Sequence, residues 1–148
     1  MKQSNAWILA ISLCFTACGG DGSDEVVTKT FEDFMDEVSQ SAGDDAVDCG
    51  VVEIGESEVS TNTCVAEAFI NGEAFYAVYE LQGIDSSVGA ALSADGEGEV
   101  LQWEYDSNPT GGVAAGSSEI DSTVCVDAEL SGSVDSGYAD IFNCAQAG

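Results

Sequence analysis

The charge of this chain restricts its fold more than any other feature of the sequence. Its 148 residues include 28 Asp and Glu, only 2 Lys and Arg, and no His, so the formal net charge is −26 at pH 7. A highly charged chain of low hydrophobicity stays disordered, but 45% of these residues are apolar and they recur in regular patterns. We therefore expect a folded domain with an acidic surface.

The same charge excludes several classes of partner. Nucleic acids and anionic lipid headgroups are bound through Lys and Arg, and the only basic residues are Lys2 and Lys29. Adaptation to salt, or solubility alone, is one explanation of an acidic surface whose self-repulsion is screened by ions. The functional alternative is a surface that binds cations or a cationic envelope protein.

The N-terminal segment predicts export from the cytoplasm. Residues 1–5 carry one positive charge, Lys2, and residues 6–17 form an uncharged run. This is a signal peptide in outline. The run is too short for a permanent membrane-spanning helix, which takes about 20 residues.

Residues 15–18 read Phe-Thr-Ala-Cys and are followed by the Gly-rich stretch 19–23. This pattern resembles the lipobox of bacterial lipoproteins. The resemblance implies that Cys18 is diacylated on its sulfur, that the signal peptide is cut just before it, and that the new amine is commonly acylated too.

Two alternatives compete with lipidation at Cys18. Cys14 is a poorer match to the lipobox, because bulky Leu13 precedes it. An ordinary secretory signal cut near Ala17 would place bulky Phe15 where that peptidase requires a small residue.

By resemblance to the enterobacterial sorting rule, an Asp directly after the lipidated Cys retains a lipoprotein at the inner membrane, and Gly19 stands there instead. The resemblance therefore implies an outer-membrane lipoprotein, facing the periplasm or the cell surface, with its lipid on Cys18 as the membrane contact. Residues 18–27 are predicted to form a flexible, self-repelling tether, and residues 28–148 a single domain. Removal of residues 1–17 takes Lys2 with it and leaves a formal charge of −27.

Four cysteines remain in this domain, and an exported protein can join them as disulfides; they are Cys49, Cys64, Cys125 and Cys144. Zinc is the rival use, but there is no CxxC and no His, so all four ligands would come from distant segments. We expect two disulfides, for which three pairings are possible.

A hairpin with arms 123–130 and 139–144 favours the sequential pairing. If Leu130 lies opposite Ala139, Cys125 lies opposite Cys144, close enough to bridge. Cys49 and Cys64 then pair with each other. Each disulfide closes a loop worth about 3 kcal/mol in the chain-entropy model.

Helical periodicity predicts one or two N-terminal helices. Apolar residues recur at helical spacing from Phe31 to Val38 behind Thr30, a candidate N-cap, which predicts a helix over 30–42. Residues 63–70 form either a second helix or one arm of a hairpin, because Asn-Gly at 71–72 can end a helix or make a two-residue turn. We favour the helix.

Side chains alternate in residues 75–81, 101–105 and 124–130, which predicts antiparallel strands. Residues 88–93 supply another strand, joined to 101–105 through the Asp-Gly-Glu-Gly turn at 95–98, and the hairpin arm 139–144 is a fifth. Helices that precede a run of strands indicate an α+β domain. We expect one or two helices packed on an antiparallel sheet of about five strands, stapled by two disulfides.

Catalysis is not predicted. Without His and Arg the chain lacks an imidazole base and a guanidinium clamp, and no GxSxG motif is present. A pair of carboxylates could serve a small glycan hydrolase, but 28 acids make any one pair uninformative. Trp103 and Tyr105 could line a sugar groove, although their alternation favours a place in the core.

One segment has the oxygen spacing of an EF-hand calcium loop. Its side chains at positions 1, 3, 5, 7 and 9 are Asp127, Glu129, Ser131, Ser133 and Asp135. Position 12 is Tyr138 rather than Glu, and the flanks have strand patterns, so a Gly-Ser hairpin loop is the favoured interpretation. The predicted function is a lipid-anchored, non-catalytic binding or structural module without a cofactor. A calcium-responsive module is the alternative, and a carboxylate hydrolase is less favoured.

Overall fold

The computed structural model of this protein describes residues 28–111, 117–131, 133–135 and 137–145. The predicted signal peptide, Cys18 and the tether up to residue 27 lie outside the described residues. The described elements follow in chain order: α1 (Phe31–Ala42), β1 (Val47–Val52), α2 (Val59–Asn71), β2 (Phe75–Leu81), β3 (Val88–Ala94), β4 (Val100–Asp106), β5 (Glu119–Leu130), a 3-10 turn (Tyr138–Asp140) and β6 (Phe142–Ala145).

The sheet has six strands, in the spatial order β1 to β6, rather than the five that the sequence predicts. Every neighbouring pair is antiparallel except β1 and β2, which are parallel. Parallel neighbours need a crossover, and α2 supplies it. The predicted α+β class is confirmed, but the sheet is not wholly antiparallel.

Helix α1 begins where the sequence predicts, because Thr30 and Asp33 form a capping box. The Thr30 hydroxyl accepts from the N–H of Asp33 at 3.1 Å, and the Thr30 N–H donates to Oδ2 of Asp33 at 2.7 Å. The helix buries Phe34 and Val38 on one face of the sheet, where they join a cluster with Val78, Ala91 and Tyr105.

Helix α2 covers the opposite face of the sheet. The helical interpretation of residues 63–70 is correct, and the helix extends beyond them at both ends. Gly72 ends it with a left-handed φ of 68°, a conformation that glycine adopts without a steric penalty. Val65 and Ala68 pack on the side of β2 that faces away from α1, next to Phe75 and Tyr79.

Strand β5 takes part in two pairings, and a bulge separates them. Residues 119–125 pair with β4, and the later residues pair with β6 after a register shift between Val126 and Glu129. Within this bulge Asp127 has a φ of 50°, the one positive φ among the described non-glycine residues. Beyond the bulge, the chain returns over the α2 face. We call residues 137–145 the C-terminal arm.

The predicted hairpin register is wrong by three residues. Leu130 pairs with Phe142 rather than with Ala139, because the bulge adds a residue to β5 and residues 138–140 form a 3-10 turn instead of extending the strand. Cys125 and Cys144 nevertheless form a disulfide, with Cα atoms 4.9 Å apart. Cys49 and Cys64 form the other, with Cα atoms 5.5 Å apart.

Candidate binding groove

A groove of about 340 Å³ opens on the α2 face, at the end of the sheet where β2 ends and β3 begins. Its lining comes from strands β2 to β5 and from Tyr138 of the C-terminal arm. We call it the acidic groove.

Four carboxylates line this groove, in two directly opposed pairs. Glu104 on β4 lies opposite Asp121 on β5, and Asp106 lies opposite Glu119. Residues two apart on a strand share a face, so both pairs lie on the side of Cys125, which faces the α2 core. Like charges that face each other across two strands destabilise a sheet. The sheet therefore carries a local repulsion at this position.

The floor of the groove is apolar. Leu81 at the end of β2 pairs with Val88 at the start of β3, and both line the groove. The carboxylates thus stand beside a surface that can receive aliphatic groups, an arrangement that charge-driven solubility alone does not require.

Tyr138 forms one wall. Its ring stacks on Tyr79 with the centroids 5.0 Å apart, and its backbone N–H donates to Oε2 of Glu58 at 2.7 Å. Burial raises the pKa of the Tyr138 hydroxyl, and the negative charges of Glu104 and Glu58 raise it further. The tyrosine therefore stays protonated and neutral at physiological pH.

A buried hydrogen-bond chain fixes the ring on which Tyr138 stacks. The Tyr79 hydroxyl donates to Oδ1 of Asn62 at 2.9 Å, and Nδ2 of Asn62 donates to the carbonyl of Val134 at 3.1 Å. Tyr79 and Asn62 are almost fully buried, and burial strongly raises the pKa of Tyr79. Strand β2 and the chain before the arm are thereby joined through Asn62 of α2.

No basic side chain of the described residues neutralises the groove. Lys29 is the only Lys or Arg after residue 2, and its ammonium contacts Glu37 on α1. Its carbonyl accepts from the Tyr105 hydroxyl at 3.1 Å, on the α1 face. Within the part of the chain that the structure describes, the four groove carboxylates therefore have no basic side chain as a partner.

The predicted calcium candidates lie elsewhere. Asp127 and Glu129 belong to β5, and Ser131, Ser133 and Asp135 follow it; all five are exposed. Among the described residues, no group of three or more Asp, Glu, Cys or His side chains is placed to hold a metal ion.

Trp103 and Tyr105 pack on the α1 side of the sheet, and Tyr105 also contributes to the lining of the acidic groove. Tyr105 is buried and stacks on Phe34 with the ring centroids 5.4 Å apart, and Trp103 donates its indole N–H to Oγ of Ser93 at 2.9 Å. Both belong to the packing under α1.

Sequence reasoning missed the acidic groove. The spacing of Glu104 with Asp106, and of Glu119 with Asp121, places each pair on one face of its strand. That signal is present in the sequence, but the meeting of the two pairs depends on the register between β4 and β5.

In the part of the chain that the structure describes, no helix has the length and apolar character needed to cross a membrane. Comparison of the chain with protein-family models, with characterised proteins and with solved structures gives no match.

Proposed function

We propose that this chain is a lipid-anchored, non-catalytic binding protein of the bacterial cell envelope, and that its acidic groove receives a cationic partner. The uncharged run 6–17 and the Phe-Thr-Ala-Cys sequence at 15–18 support export and lipidation at Cys18. Gly19 after the cysteine favours the outer membrane. The two disulfides fit an oxidising compartment.

The two opposed carboxylate pairs over an apolar floor carry the binding proposal. Uncompensated like charges that face each other raise the free energy of the folded chain, and a bound cation relieves that repulsion. A positive patch on a partner also speeds association with a strongly negative one. Leu81 and Val88 can receive the aliphatic stems of Lys or Arg side chains, which pack on apolar surface while their charge stays in water.

The arrangement favours an extended basic segment of a protein over a metal ion. Glu104 and Asp106 are two residues apart on one strand, so their Cα atoms are separated by about 6.6 to 6.8 Å. Basic side chains at alternate positions of an extended peptide have the same repeat. Calcium instead needs 6 to 8 oxygens that converge on one point, and no described trio of acids does so.

The direct test is calorimetric titration of the mature, unlipidated protein with a peptide of alternating Lys and Val. We expect saturable binding that weakens as salt rises. The variant Glu104→Gln/Asp121→Asn should bind about tenfold more weakly, a difference of about 1.4 kcal/mol.

The matched control is Asp45→Asn/Glu53→Gln. It removes the same charge from two exposed residues that do not line the groove, and it should bind within about twofold of the parent. Equal losses in the two variants would assign binding to overall charge rather than to the groove. Binding of calcium at micromolar concentration would contradict the proposed partner class and favour a calcium-responsive module.

A further inference from the structure

The C-terminal arm contributes a wall of the groove but little of the sheet that carries the carboxylates. Tyr138 is the arm residue in the lining, whereas the four acids belong to β4 and β5. Movement of the arm would therefore remove one wall of the groove and leave the four carboxylates in place.

Non-covalent contacts hold the arm at both ends. Its start is held by the hydrogen bond from Tyr138 N–H to Glu58, and Ile141 accepts from the N–H of Ser131 at 2.8 Å. Ile141 and Phe142 are buried, and the Phe142 ring packs edge-on against Phe69 with the centroids 4.9 Å apart.

The disulfide between Cys125 and Cys144 links the arm covalently to β5. It joins the last paired residue of the first half of β5 to β6, on the α2 face. Cys125 is buried whereas Cys144 is partly exposed, so an incoming thiolate has better access at Cys144.

Two other parts of the domain are held together without the Cys125–Cys144 disulfide. The cluster under α1 includes no residue of the arm. Cys49 and Cys64 independently join β1 to α2. Helix α1 thus keeps its contacts with β2 to β4 when the arm moves, whereas on the α2 face Ile141 and Phe142 of the arm share a core with residues of these strands.

We propose that the Cys125–Cys144 disulfide is a redox-sensitive clamp on the acidic groove. With the disulfide closed, the arm holds Tyr138 against Tyr79 and the groove is complete; with it reduced, only non-covalent contacts hold the arm, which then opens far more often while α1 and β2 to β4 stay folded. This inference rests on the proposed function for its biological role, but the clamp itself is a property of the fold.

The chemistry is thiol–disulfide exchange with a dithiol. One thiolate of the dithiol attacks Sγ of Cys144, the S–S bond breaks, and Cys125 leaves as a thiolate. The second thiol of the reagent then displaces Cys144 and forms its own disulfide. Two electrons and two protons pass to the protein, which becomes the dithiol. A disulfide oxidant of the envelope would run the same exchange in reverse after export.

The test compares Cys125→Ser/Cys144→Ser with Cys49→Ser/Cys64→Ser in the mature protein by amide hydrogen exchange. A disulfide that closes a loop of 19 residues changes an opening equilibrium by about 100-fold in the chain-entropy model. We therefore expect the amides of Tyr138, Asp140 and Ile141 to exchange about 100-fold faster in the first variant, while β2 to β4 stay protected. The second variant should leave exchange in the arm unchanged.

If a serine variant does not fold, stepwise reduction of the parent protein with dithiothreitol provides a second test. The species reduced only at Cys125 and Cys144 should show a fast-exchanging arm on a protected sheet. Unchanged exchange in the arm of that species, or loss of protection throughout β2 to β4, would overturn the clamp. If the arm opens as expected but the Lys-Val peptide does not bind even the oxidised protein, the clamp stands and the proposed partner is wrong.

Discussion

The backbone N–H of Tyr138 donates a hydrogen bond of 2.7 Å to Oε2 of Glu58, a residue 80 positions earlier in the chain. This contact joins the residue that precedes α2 to the segment that closes the acidic groove. It also places a negative charge near the Tyr138 ring, where it helps to raise the pKa of the phenol.

Glu58→Gln should therefore lower the pKa of Tyr138, because one of the charges that disfavour the phenolate is gone. The Tyr138 N–H can then donate only to a neutral amide oxygen in place of a carboxylate, which should lower the free energy of unfolding by about 1 kcal/mol. Tyrosine ring signals followed by NMR through an alkaline titration, together with urea unfolding, measure both effects. Glu56→Gln, an exposed neighbour, is the control and should change neither quantity.

The four tyrosines predict a loss of stability at alkaline pH. Burial is the leading cause of a raised pKa at Tyr76, Tyr79, Tyr105 and Tyr138. A folded-state pKa above the unfolded value means that the stabilisation is complete below pH 10 and declines as pH rises beyond it. Absorbance at 295 nm should show tyrosinate formation in the folded protein displaced to higher pH than in the unfolded chain. Ionisation of all four near pH 10 in a folded protein would contradict this packing.

The capping box of α1 predicts a loss of stability at acid pH. Hydrogen bonds from the backbone and side chain of Thr30 lower the pKa of Asp33 from its ordinary value of 3.8. Because the folded-state pKa is depressed, the stabilisation is present above pH 3.8 and is lost as pH falls through the lower folded value.

Asp33→Asn should accordingly reduce the melting temperature at neutral pH, and the difference from the parent should vanish in strong acid. Glu32→Gln is the control: it removes one negative charge from the same helical turn, and Glu32 has no part in the capping box. Thermal unfolding followed by circular dichroism from pH 7 to pH 2 measures both variants. A gap that widens in acid would be inconsistent with the capping role of Asp33.

The charge of residues 18–148 predicts a dependence on salt. A formal charge of −27 without residues 1–17 destabilises the compact state by self-repulsion, which dissolved ions screen. The melting temperature should rise from low to moderate ionic strength, and sodium should act nearly as well as calcium at equal ionic strength. A stabilisation specific to micromolar calcium would instead support a site at Asp127 to Asp135.

Local sequence patterns predict most of the helices and strands correctly. The apolar stripe from Phe31 to Val38 behind Thr30 predicts α1. Alternation predicts β2 and β4, and the turn at 95–98 predicts β3, each to within a residue or so at either end. Strand β1 was missed because Val47–Val52 has glycine within it and no regular alternation. Its place in the sheet comes from a parallel pairing with β2 across α2, which no local pattern encodes.

Long-range register accounts for the other differences. The bulge at Asp127 shifts the pairing of β5 with β6, and a left-handed aspartate is not signalled by its neighbours in sequence. For the acidic groove, residues 107–118 separate β4 from β5 in the sequence, and a separation of that length does not fix which residues of the two strands face each other. The sequence shows which residues are acidic, but it does not show that these two pairs of acids face each other.

The central claim of this account is that the domain is held in the envelope by a lipid on Cys18, and metabolic labelling with a fatty acid tests it most directly. Expressed with its own N-terminus in a bacterial host, the protein should incorporate the label and partition with membranes into detergent, since two or three acyl chains give stable anchoring where one gives only reversible binding. Cys18→Ser should abolish both results and make the precursor insensitive to an inhibitor of the lipoprotein signal peptidase, whereas Cys14→Ser should change neither. A Cys18→Ser protein that still takes up label and remains in the membrane would contradict the account.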